Sequence, residues 1–299
     1  MIFTINENEV LHEGEHPGQR VGIFSFEEMD ETAARFGIPA AFCGDVRKSR
    51  YTKYESHPDG HWLTLNVPST WQKELVTHRV AVFLGDGQLF FFSDDLPLIR
   101  EAVTPRLSDG GKTCRELLLR DFLDHLAARD SLYLDELEQE ILKLEDDLIT
   151  GGKSDYVATI ITFRRQLMTL KQYYEQLCDL VDAMLDDESD VLPKHCRRSF
   201  QALGAKLDRI CHTILNLRDY VTQVRESYQA QEDIRLNRVM KYFTVISTIF
   251  LPLTLIVGWY GMNVAMPEYH WRYGYVWVIV LCVAAVAGCI AFFRKNKWF

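Results

Sequence analysis

Residues 242–260 read YFTVISTIFLPLTLIVGWY, about nineteen residues without a charged side chain. A second uncharged run, residues 273–293, reads YGYVWVIVLCVAAVAGCIAFF. Each run is long enough to cross a hydrocarbon core of ~30 Å as an α-helix. The segment between them carries only two charged side chains, Glu268 and Arg272, which predicts a tight hairpin with no space for a domain. Residues 242–299 are therefore predicted to form a membrane unit of two spans.

The hairpin contains three short sequences that bear on function. The first span ends at Gly261-Met262-Asn263, and MPE at 266–268 and WRYGY at 271–275 follow it. The tripeptide alone is a weak signal, but its position at the end of the penultimate span makes it specific. In this arrangement the hairpin resembles that of the CorA family of divalent-cation channels. The resemblance is strong over roughly the last sixty to seventy residues. The α/β domain and the long helices before them resemble the family only in architecture.

Basic side chains flank both spans. They are Arg235, Arg238 and Lys241 before the first span and Arg294, Lys295 and Lys297 after the second. Because positively charged flanks stay in the cytoplasm, both termini are predicted to be cytoplasmic, with the Gly-Met-Asn loop outside. The first residues, MIFTINE, have neither a basic n-region nor a long apolar core, so no signal peptide is predicted. The expected location is the cell (inner or plasma) membrane.

Residues 1–241 precede the membrane unit, enough for one or two soluble domains with a hydrophobic core. Residues 1–112 combine β-branched and aromatic runs of strand length with short helical patterns, which indicates a mixed α/β domain. Strands are predicted at 20–26, 61–67, 80–84 and 88–93, and helices at 27–36 and 97–103. Gly85-Asp86-Gly87 lies between the last two strands and predicts a β-hairpin.

From residue 113 onward, apolar residues recur every three or four positions, which is typical of long helices packed at shallow angles. The three series are Leu134, Leu137, Ile141, Leu144 and Leu148; Ile160, Phe163, Leu167, Leu170, Tyr174, Leu177, Val181 and Met184; and Phe200, Leu203, Leu207, Ile210, Ile214, Leu217, Val221, Val224 and Tyr228. Gly151-Gly152 and the acidic break at 186–190 are predicted to mark the reversals between these helices.

No strong helix breaker precedes Pro252 in the last series, so residues 194–258 are predicted to form one helix of ~100 Å, including a cytoplasmic stalk of about 70 Å. Pro252 should bend the axis and free the Thr248 carbonyl. The predicted fold class is an α+β membrane protein with a cytoplasmic α/β domain, long antiparallel helices and two C-terminal transmembrane helices. The predicted parts are 1–112 for the α/β domain, 113–193 for a cytoplasmic helical hairpin, 194–241 for the stalk helix and 242–299 for the pore unit.

One face of the first span and of the turns before it is mostly small or polar. Its members, which we call the polar stripe, are Asn237, Met240, Thr244, Ser247, Leu251, Thr254 and Gly258. Lipid offers no partners to polar groups, so the polar stripe is predicted to face protein or water. Packing against another helix would also explain it, because small residues let membrane helices approach closely. The neighbouring Gly261-Met262-Asn263 favours a pore wall.

The Gly-Met-Asn sequence offers neutral oxygen atoms. Gly261 could take the left-handed conformation that ends a helix and leaves its carbonyl free, and Asn263 adds an amide oxygen. Mg²⁺ binds six oxygens and gives up its waters reluctantly, so a ring of such oxygens could recognise the hydrated ion and still release it. An ordinary helix cap and turn is the alternative explanation.

Resemblance to the CorA family implies a homopentameric channel or transporter that moves Mg²⁺ or other divalent cations into the cytoplasm. It implies a pore mouth at Gly261, Met262 and Asn263, where Asn263 and Gly261 contact the hydrated ion, with Glu268 as the acid of the loop. The polar stripe would line the path, with Phe243 near the cytoplasmic constriction. Mg²⁺ would be both the transported ion and a regulator bound between cytoplasmic domains through acidic residues.

The regulatory acids are not placed by the sequence. Where the resemblance predicts an acid on the stalk, the chain has Ala202, and Asp208 is the nearest acid downstream. The acidic break at 186–190, DDESD, lacks the glycine and the closing glutamate of a calcium loop. A solvated helix reversal is the favoured interpretation of this break.

Among the seven cysteines there is no Cys-x-x-Cys pair. His195-Cys196 and Cys211-His212 suggest a zinc site, but fifteen helical residues would hold them ~22 Å apart, so a single site is excluded unless another chain contributes. Cys282 and Cys289 lie on one face of the second span, where they are interpreted as small apolar filler.

Composition argues against two other classes of function. The net charge is −9 and no basic stripe with interleaved aromatic residues occurs, so nucleic acid is not expected as a partner. Residues 1–112 contain no phosphate-binding loop, nucleophile elbow or paired catalytic carboxylates, so no enzyme activity is predicted. Two alternatives to magnesium transport stay open. One is a zinc or other transition-metal transporter of the same superfamily, and the other is a membrane-anchored sensor that conducts nothing.

Overall fold

The computed structural model describes residues 1–6, 10–14, 18–49, 51–69, 76–106, 112–150, 156–187, 192–262 and 272–295. They fall into two compact units, Met1–Val224 and Arg225–Phe299. The strands are β1 (Ile2–Ile5), β2 (Leu11–Glu13), β3 (Gln19–Phe24), β4 (Lys53–His57), β5 (Gly60–Pro68), β6 (Thr77–Gly85) and β7 (Gln88–Ser93). The helices are α1 (Met29–Phe36), α2 (Ala40–Lys48), α3 (Leu96–Val103), α4 (Arg115–Thr150), α5 (Tyr156–Asp186), α6 (Lys194–Tyr260) and α7 (Gly274–Lys295).

The strands described in the first unit form one sheet in the order β2-β1-β3-β7-β6-β5-β4. All neighbouring pairs are antiparallel except β3 and β7, which run parallel. The predicted hairpin joins β6 and β7, with Gly85 opposite Gln88. Gly87 has a φ of 66°, the left-handed conformation that such a two-residue turn requires.

Aromatic side chains fill the core on one face of the sheet. The rings of Phe42 and Trp62 lie 5.8 Å apart, and Phe42 also packs on Phe83 at 5.6 Å and on Phe92 at 5.9 Å. Because α2 carries Phe42, this cluster fixes α2 on the sheet. On the opposite face, Phe91 of β7 contacts Phe122 of α4 at 5.2 Å. A strand covered on both faces reads as a continuous apolar run, as β7 does.

The helical seams in the first unit are buried as predicted. All members of the first two series are buried, and so are those of the third series from Phe200 to Val224. Tyr228, the last predicted member, is half-buried and lies in the second unit. The three-and-four spacing therefore identified the faces along which α4, α5 and α6 bury their apolar side chains.

Helix α6 is continuous over 67 residues and passes through Pro252 without a break. The prediction of a single helix over 194–258 is confirmed, with an end two residues later than expected. Two helices, α6 and α7, are long and apolar enough to cross a membrane, and the apolar window of each is almost entirely uncovered by the rest of the chain. The predicted fold class is thus present, whereas the four-part division of the chain stays a prediction.

A buried polar pair joins α4 to α5. The Tyr174 hydroxyl donates a hydrogen bond of 2.8 Å to Asp130, and both residues are almost fully inaccessible to solvent. Burial, followed by the nearby Asp130 charge, raises the pKa of Tyr174 well above its ordinary value. A carboxyl group in this position needs its hydrogen-bond donors, because water does not reach it.

We therefore expect Tyr174→Phe to lower the free energy of unfolding by about 1–3 kcal/mol, the cost of leaving a buried acceptor with one bond fewer. Tyr51→Phe is the matched control, because Tyr51 is 68% exposed and its hydroxyl has water available. Denaturant unfolding of the full chain in detergent, followed by tryptophan fluorescence, measures the difference. Equal stability of the two variants would show that the Tyr174–Asp130 bond does not stabilise the helix pair.

Candidate ion-permeation site

The polar stripe lies on one uncovered face of α6. All seven members, and the neighbouring Phe243, are exposed in the isolated chain. Leu251 is the most exposed of the apolar members at 71%, and Met240 is 62% exposed. A side chain this exposed in a membrane span contacts lipid, water or another subunit, none of which a single chain supplies.

Helix α7 contacts α6 on the side opposite the polar stripe, where the Cys289 thiol reaches the Thr248 carbonyl. In the span, the least exposed side chains include Val245, Ile249 and Ile256, which recur at the same three-and-four spacing. At 100° per residue these positions lie roughly 180° from the centre of the polar stripe. The second span therefore leaves the polar stripe free.

The threonine hydroxyls of the polar stripe are bonded to their own helix. Thr244 donates to the Met240 carbonyl at 2.9 Å, and Thr254 donates to the Phe250 carbonyl at 2.8 Å. A hydroxyl that has given its proton to the backbone presents only its lone pairs outward. The coordinated waters of a hydrated cation donate hydrogen bonds outward, so this face offers them acceptors.

Pro252 leaves a backbone acceptor on α6, and the structure supplies a partner for it. A proline lacks the N–H that would bond to the carbonyl four residues earlier, which belongs to Thr248. The Cys289 thiol of α7 donates to that carbonyl at 3.8 Å. The expected freeing of the Thr248 carbonyl is thus met by a weak donor on the second span, and Cys289 has a polar contact besides filling space.

At the end of α6, the conformation predicted for Gly261 is wrong. Its φ is not positive, since the Gly261 N–H still bonds to the Val257 carbonyl at 2.9 Å and continues the helical pattern. A glycine is required there for a different reason. A Cβ atom would lie 2.8 Å from the Val257 carbonyl oxygen, closer than real Cβ contacts.

Of the other residues predicted to form a pore mouth, the structure describes only Met262. Met262 is 41% exposed, while Asn263 and Glu268 lie outside the residues that the structure describes. A cavity of about 730 Å³ lies beside Gly261, lined by residues of α6 and α7 such as Val257, Tyr275 and Val278. Such a mostly apolar lining does not suit Mg²⁺, which prefers oxygen ligands. This cavity is therefore not a Mg²⁺ site.

A sequence model described as "CorA-like Mg2+ transporter protein" matches residues 26–295. The chain belongs to this family. The magnesium transport protein CorA of Haemophilus influenzae (strain 86-028NP) is 45% identical in an alignment that covers 99% of this chain and 89% of that protein. The cobalt/magnesium transport protein CorA of Thermotoga maritima is 26% identical over 75% of this chain, and the match spans only 66% of that protein.

A solved structure shares the fold of this CorA-family chain. The complete structure of the CorA magnesium transporter from Methanocaldococcus jannaschii superposes with a TM-score of 0.84 and 20% sequence identity, covering 100% of this chain and 99% of the other. The match includes a soluble α/β domain, a long helix and two apolar C-terminal helices. This likeness confirms the fold, and the two apolar helices of a CorA-family protein place the chain in a membrane.

The acidic break between α5 and α6 is not simply solvated. The Asp187 side chain is 8% exposed and accepts a hydrogen bond from the Tyr54 hydroxyl, while its carboxylate lies 3.8 Å from Nδ1 of His61. The interpretation as a solvated reversal is therefore wrong for Asp187, because β4 and β5 cover it. Glu188 and Asp190 lie outside the described residues.

Asp208, the nearest acid to the expected stalk position, is exposed on α6. Desolvation, followed by the charge of Asp208, raises the pKa of Asp182 on α5. The two carboxylates therefore lie close enough to repel each other. Their proximity does not establish a regulatory site, and the acids that the resemblance predicts stay unassigned.

The contacts of His61 predict a pH dependence of stability. Burial, the largest effect, lowers the pKa of His61 from its ordinary 6.5, although Asp187 opposes this shift. The unfolded chain therefore takes up more protons than the folded chain as the pH falls below 6.5. We expect the free energy of unfolding to fall with pH in this range.

The slope of the unfolding free energy against pH is proportional to the number of protons taken up on unfolding. Replacing His61 with Gln should lower that number by up to one. The slope should not vanish, because burial also lowers the pKa of His125. The slope is measured by urea unfolding of the full chain between about pH 7 and pH 5, because histidines titrate in this range. His12→Gln at an exposed position is the control. An unchanged slope in His61→Gln, equal to that of the control, would contradict the assignment to His61.

Proposed function

We propose that the chain assembles as a homopentamer and conducts Mg²⁺ through the membrane into the cytoplasm. The observation that carries the proposal is the placement of the polar stripe. It faces away from α7, it is uncovered in a single chain, and it leads to Gly261-Met262-Asn263 in a CorA-family protein. Polar groups at this depth need protein or water, and a central pore provides both.

A single chain cannot enclose such a pore with two spans. Several copies of α6 arranged around an axis would bring their polar stripes together, while the α7 helices would lie outside toward lipid. The number five rests on the family resemblance. The nearly unbroken apolar composition of α7 supports its outer position, because lipid tolerates such a surface.

Selection by the mouth would act on the hydrated ion. Mg²⁺ exchanges its waters reluctantly, so a site that strips them would be slow. Neutral oxygens from Asn263 and from the Gly261 backbone would accept hydrogen bonds from the coordinated waters without holding the ion as tightly as carboxylates. Farther in, Thr244 and Thr254 present acceptors of the same kind. Weak sites in series are what conduction requires.

Entry into the cytoplasm follows from orientation and voltage. The basic flanks Arg235, Arg238 and Lys241 support an orientation with the long soluble part on the inside, by the positive-inside rule. A membrane potential that is negative inside favours inward movement by about 2.3 kcal/mol per elementary charge for each 100 mV, which doubles for a divalent ion. No chemical energy source is needed for transport in this direction.

The gate would consist of the apolar members of the polar stripe. Met240 and Leu251 would place rings of hydrocarbon in a wall that otherwise carries hydroxyl and amide groups, and Phe243 lies beside them near the cytoplasmic end. A narrow apolar ring loses its water, and a dry ring is a barrier to a divalent ion. Because α6 is continuous from the soluble part into the span, a tilt biased by internal Mg²⁺ could widen or narrow these rings.

The mouth is tested by Asn263→Ala. Removing the amide oxygen takes away the acceptor that recognises the hydrated ion, so we expect Mg²⁺ uptake to be abolished while assembly is unchanged. Mg²⁺ uptake is measured in liposomes that contain the purified protein, with a Mg²⁺-sensitive dye. Assembly is measured by mass determination in detergent. Gly288→Ala on α7 is the control, because a Cβ there meets no atom within 4 Å.

Wild-type uptake by an assembled Asn263→Ala variant would refute the pore mouth. A wild-type particle with the mass of a monomer or dimer would count against any pore. A sensor that conducts nothing would show no uptake in the wild type. A zinc transporter would carry Zn²⁺ in the same liposomes and leave Mg²⁺ outside.

The gate is tested by Leu251→Ser and Met240→Ser. Each change hydrates one apolar ring, so we expect higher flux when the liposome interior holds high Mg²⁺, a condition in which the wild type should be closed. Ile246→Ser is the matched control, since Ile246 is equally apolar and 54% exposed but lies about a third of a turn from the polar stripe. If internal Mg²⁺ suppressed flux in both variants as strongly as in wild type, the gate would lie elsewhere.

A further inference from the structure

Three metal-binding side chains from distant parts of the chain meet in the soluble unit. Cys114 immediately precedes α4, and His195 and Cys196 lie in the first turn of α6. The Cys114 and Cys196 sulfurs are 3.5 Å apart, and the Cys114 sulfur is 4.0 Å from Nε2 of His195. All three ligand atoms lie within 4.8 Å of one another.

These separations match a tetrahedral metal centre. With Zn–S bonds of about 2.3 Å and Zn–N bonds of about 2.05 Å, tetrahedral angles place two sulfurs ~3.8 Å apart and a sulfur and a nitrogen ~3.6 Å apart. The two observed distances to the Cys114 sulfur differ from these by a few tenths of an ångström, and the third pair, His195 and Cys196, lies within 4.8 Å. Rotation of side chains, chiefly of the exposed His195, would bring all three ligand atoms to bonding distance of one ion.

The backbone around the three residues is fixed. The Arg115 guanidinium donates to the Gly85 carbonyl, which anchors the start of α4 to the hairpin between β6 and β7. The Cys196 N–H donates to the Pro193 carbonyl at 2.8 Å, and the Cys196 side chain is buried. The backbone that carries the ligands is thus held in place before any ion arrives, which lowers the entropic cost of binding.

We propose that Cys114, His195 and Cys196 form a binding site for Zn²⁺ or a similar thiophilic divalent ion, with water as the fourth ligand. Two thiolates and an imidazole suit Zn²⁺, whereas Mg²⁺ prefers oxygen donors. The site therefore takes a different ion from the pore. It does not depend on the proposed transport function.

Reversible occupancy follows from its exposure. His195 is exposed, so water reaches the fourth position and the ion can exchange. The bound ion would join the start of α4 to the start of α6, the helix that continues into the first membrane span. Zn²⁺ would therefore stabilise this junction by mass action when its free concentration exceeds the dissociation constant.

A second pair of cysteines shows what distinguishes the site. The sulfurs of Cys178 and Cys211 lie 3.8 Å apart, also within reach of one ion. In the part of the chain that the structure describes, however, only the cluster at Cys114 brings together three potential ligands. The Cys178–Cys211 pair therefore supplies matched control variants with the same chemistry and no imidazole.

Cobalt spectroscopy of the full chain in detergent tests the proposal. Co²⁺ is added under a phosphine reductant that keeps the thiols reduced. We expect thiolate-to-cobalt charge transfer in the near ultraviolet and strong visible bands of a tetrahedral centre, saturating at one ion per chain. A stoichiometric amount of Zn²⁺ should abolish the signal, and a large excess of Mg²⁺ should not. Co²⁺ bound by oxygens in the pore gives no thiolate charge transfer.

Variants assign the ligands. Cys114→Ser and Cys196→Ser should lose the charge-transfer bands, and His195→Asn should weaken binding at least tenfold without endangering the fold, because His195 is exposed. Cys178→Ser and Cys211→Ser should keep the wild-type signal. The same stoichiometric Zn²⁺ should raise the melting temperature of the wild type and leave that of Cys114→Ser unchanged.

Three results would overturn the proposal. The first is the absence of thiolate charge transfer in the fully reduced wild type. The second is a charge-transfer signal that stays unchanged in both single variants, His195→Asn and Cys114→Ser. The third is loss of the signal in Cys178→Ser with retention in Cys114→Ser, which would move the ion to the other pair.

Discussion

A polar group in the hydrocarbon core of a bilayer has no water as a hydrogen-bond partner. The polar groups of the second unit must therefore find their partners within the protein or in a water-filled space. Backbone groups of α6 and α7 satisfy themselves within each helix. The carbonyl released by Pro252 is met by Cys289. The threonine hydroxyls donate to their own backbone, yet their remaining lone pairs, with Asn237 and Ser247, still need partners. In the proposed channel, water in the pore and the neighbouring subunits would supply these partners.

The soluble unit depends on ordinary burial. Aromatic rings on one face of the sheet fix α1 and α2, while α4, α5 and the part of α6 before Val224 bury their apolar seams. Polar contacts then fix the positions of helices relative to one another and to the sheet, which apolar burial alone does not determine. Tyr174 reaches Asp130 between α4 and α5, and Asp187 after α5 is covered by Tyr54 and His61 of the sheet. These contacts join α4 to α5 and the end of α5 to the sheet.

Much of this architecture could be predicted because it follows from short-range periodicity. The seams and the spans required only spacing and hydropathy, so the length of α6 and the three apolar series were predicted, except that Tyr228, the last member of the third series, is only half-buried. The missed elements were β1, β2, β4 and α2, which are brief or polar, such as KYESH in β4. Pairing with neighbours that are distant in sequence decides their structure. Cys114 was missed for the same reason, since 81 residues separate it from His195. The conformation of Gly261 was predicted wrongly. The glycine is explained by its close approach to the Val257 carbonyl, a contact that residue spacing in the sequence does not show.

The internal bonding of Thr244 and Thr254 has a consequence for the sign of the ions that such a wall admits. An anion needs hydrogen-bond donors to replace its lost hydration, and these hydroxyls have already given their protons to the backbone. What they turn outward is partial negative charge. In the proposed pore, several copies of this arrangement would repel chloride and attract cations without a single ionised side chain in the span. Charge discrimination would then originate in helix geometry, at positions where a carboxylate would bind a divalent ion too tightly to let it pass.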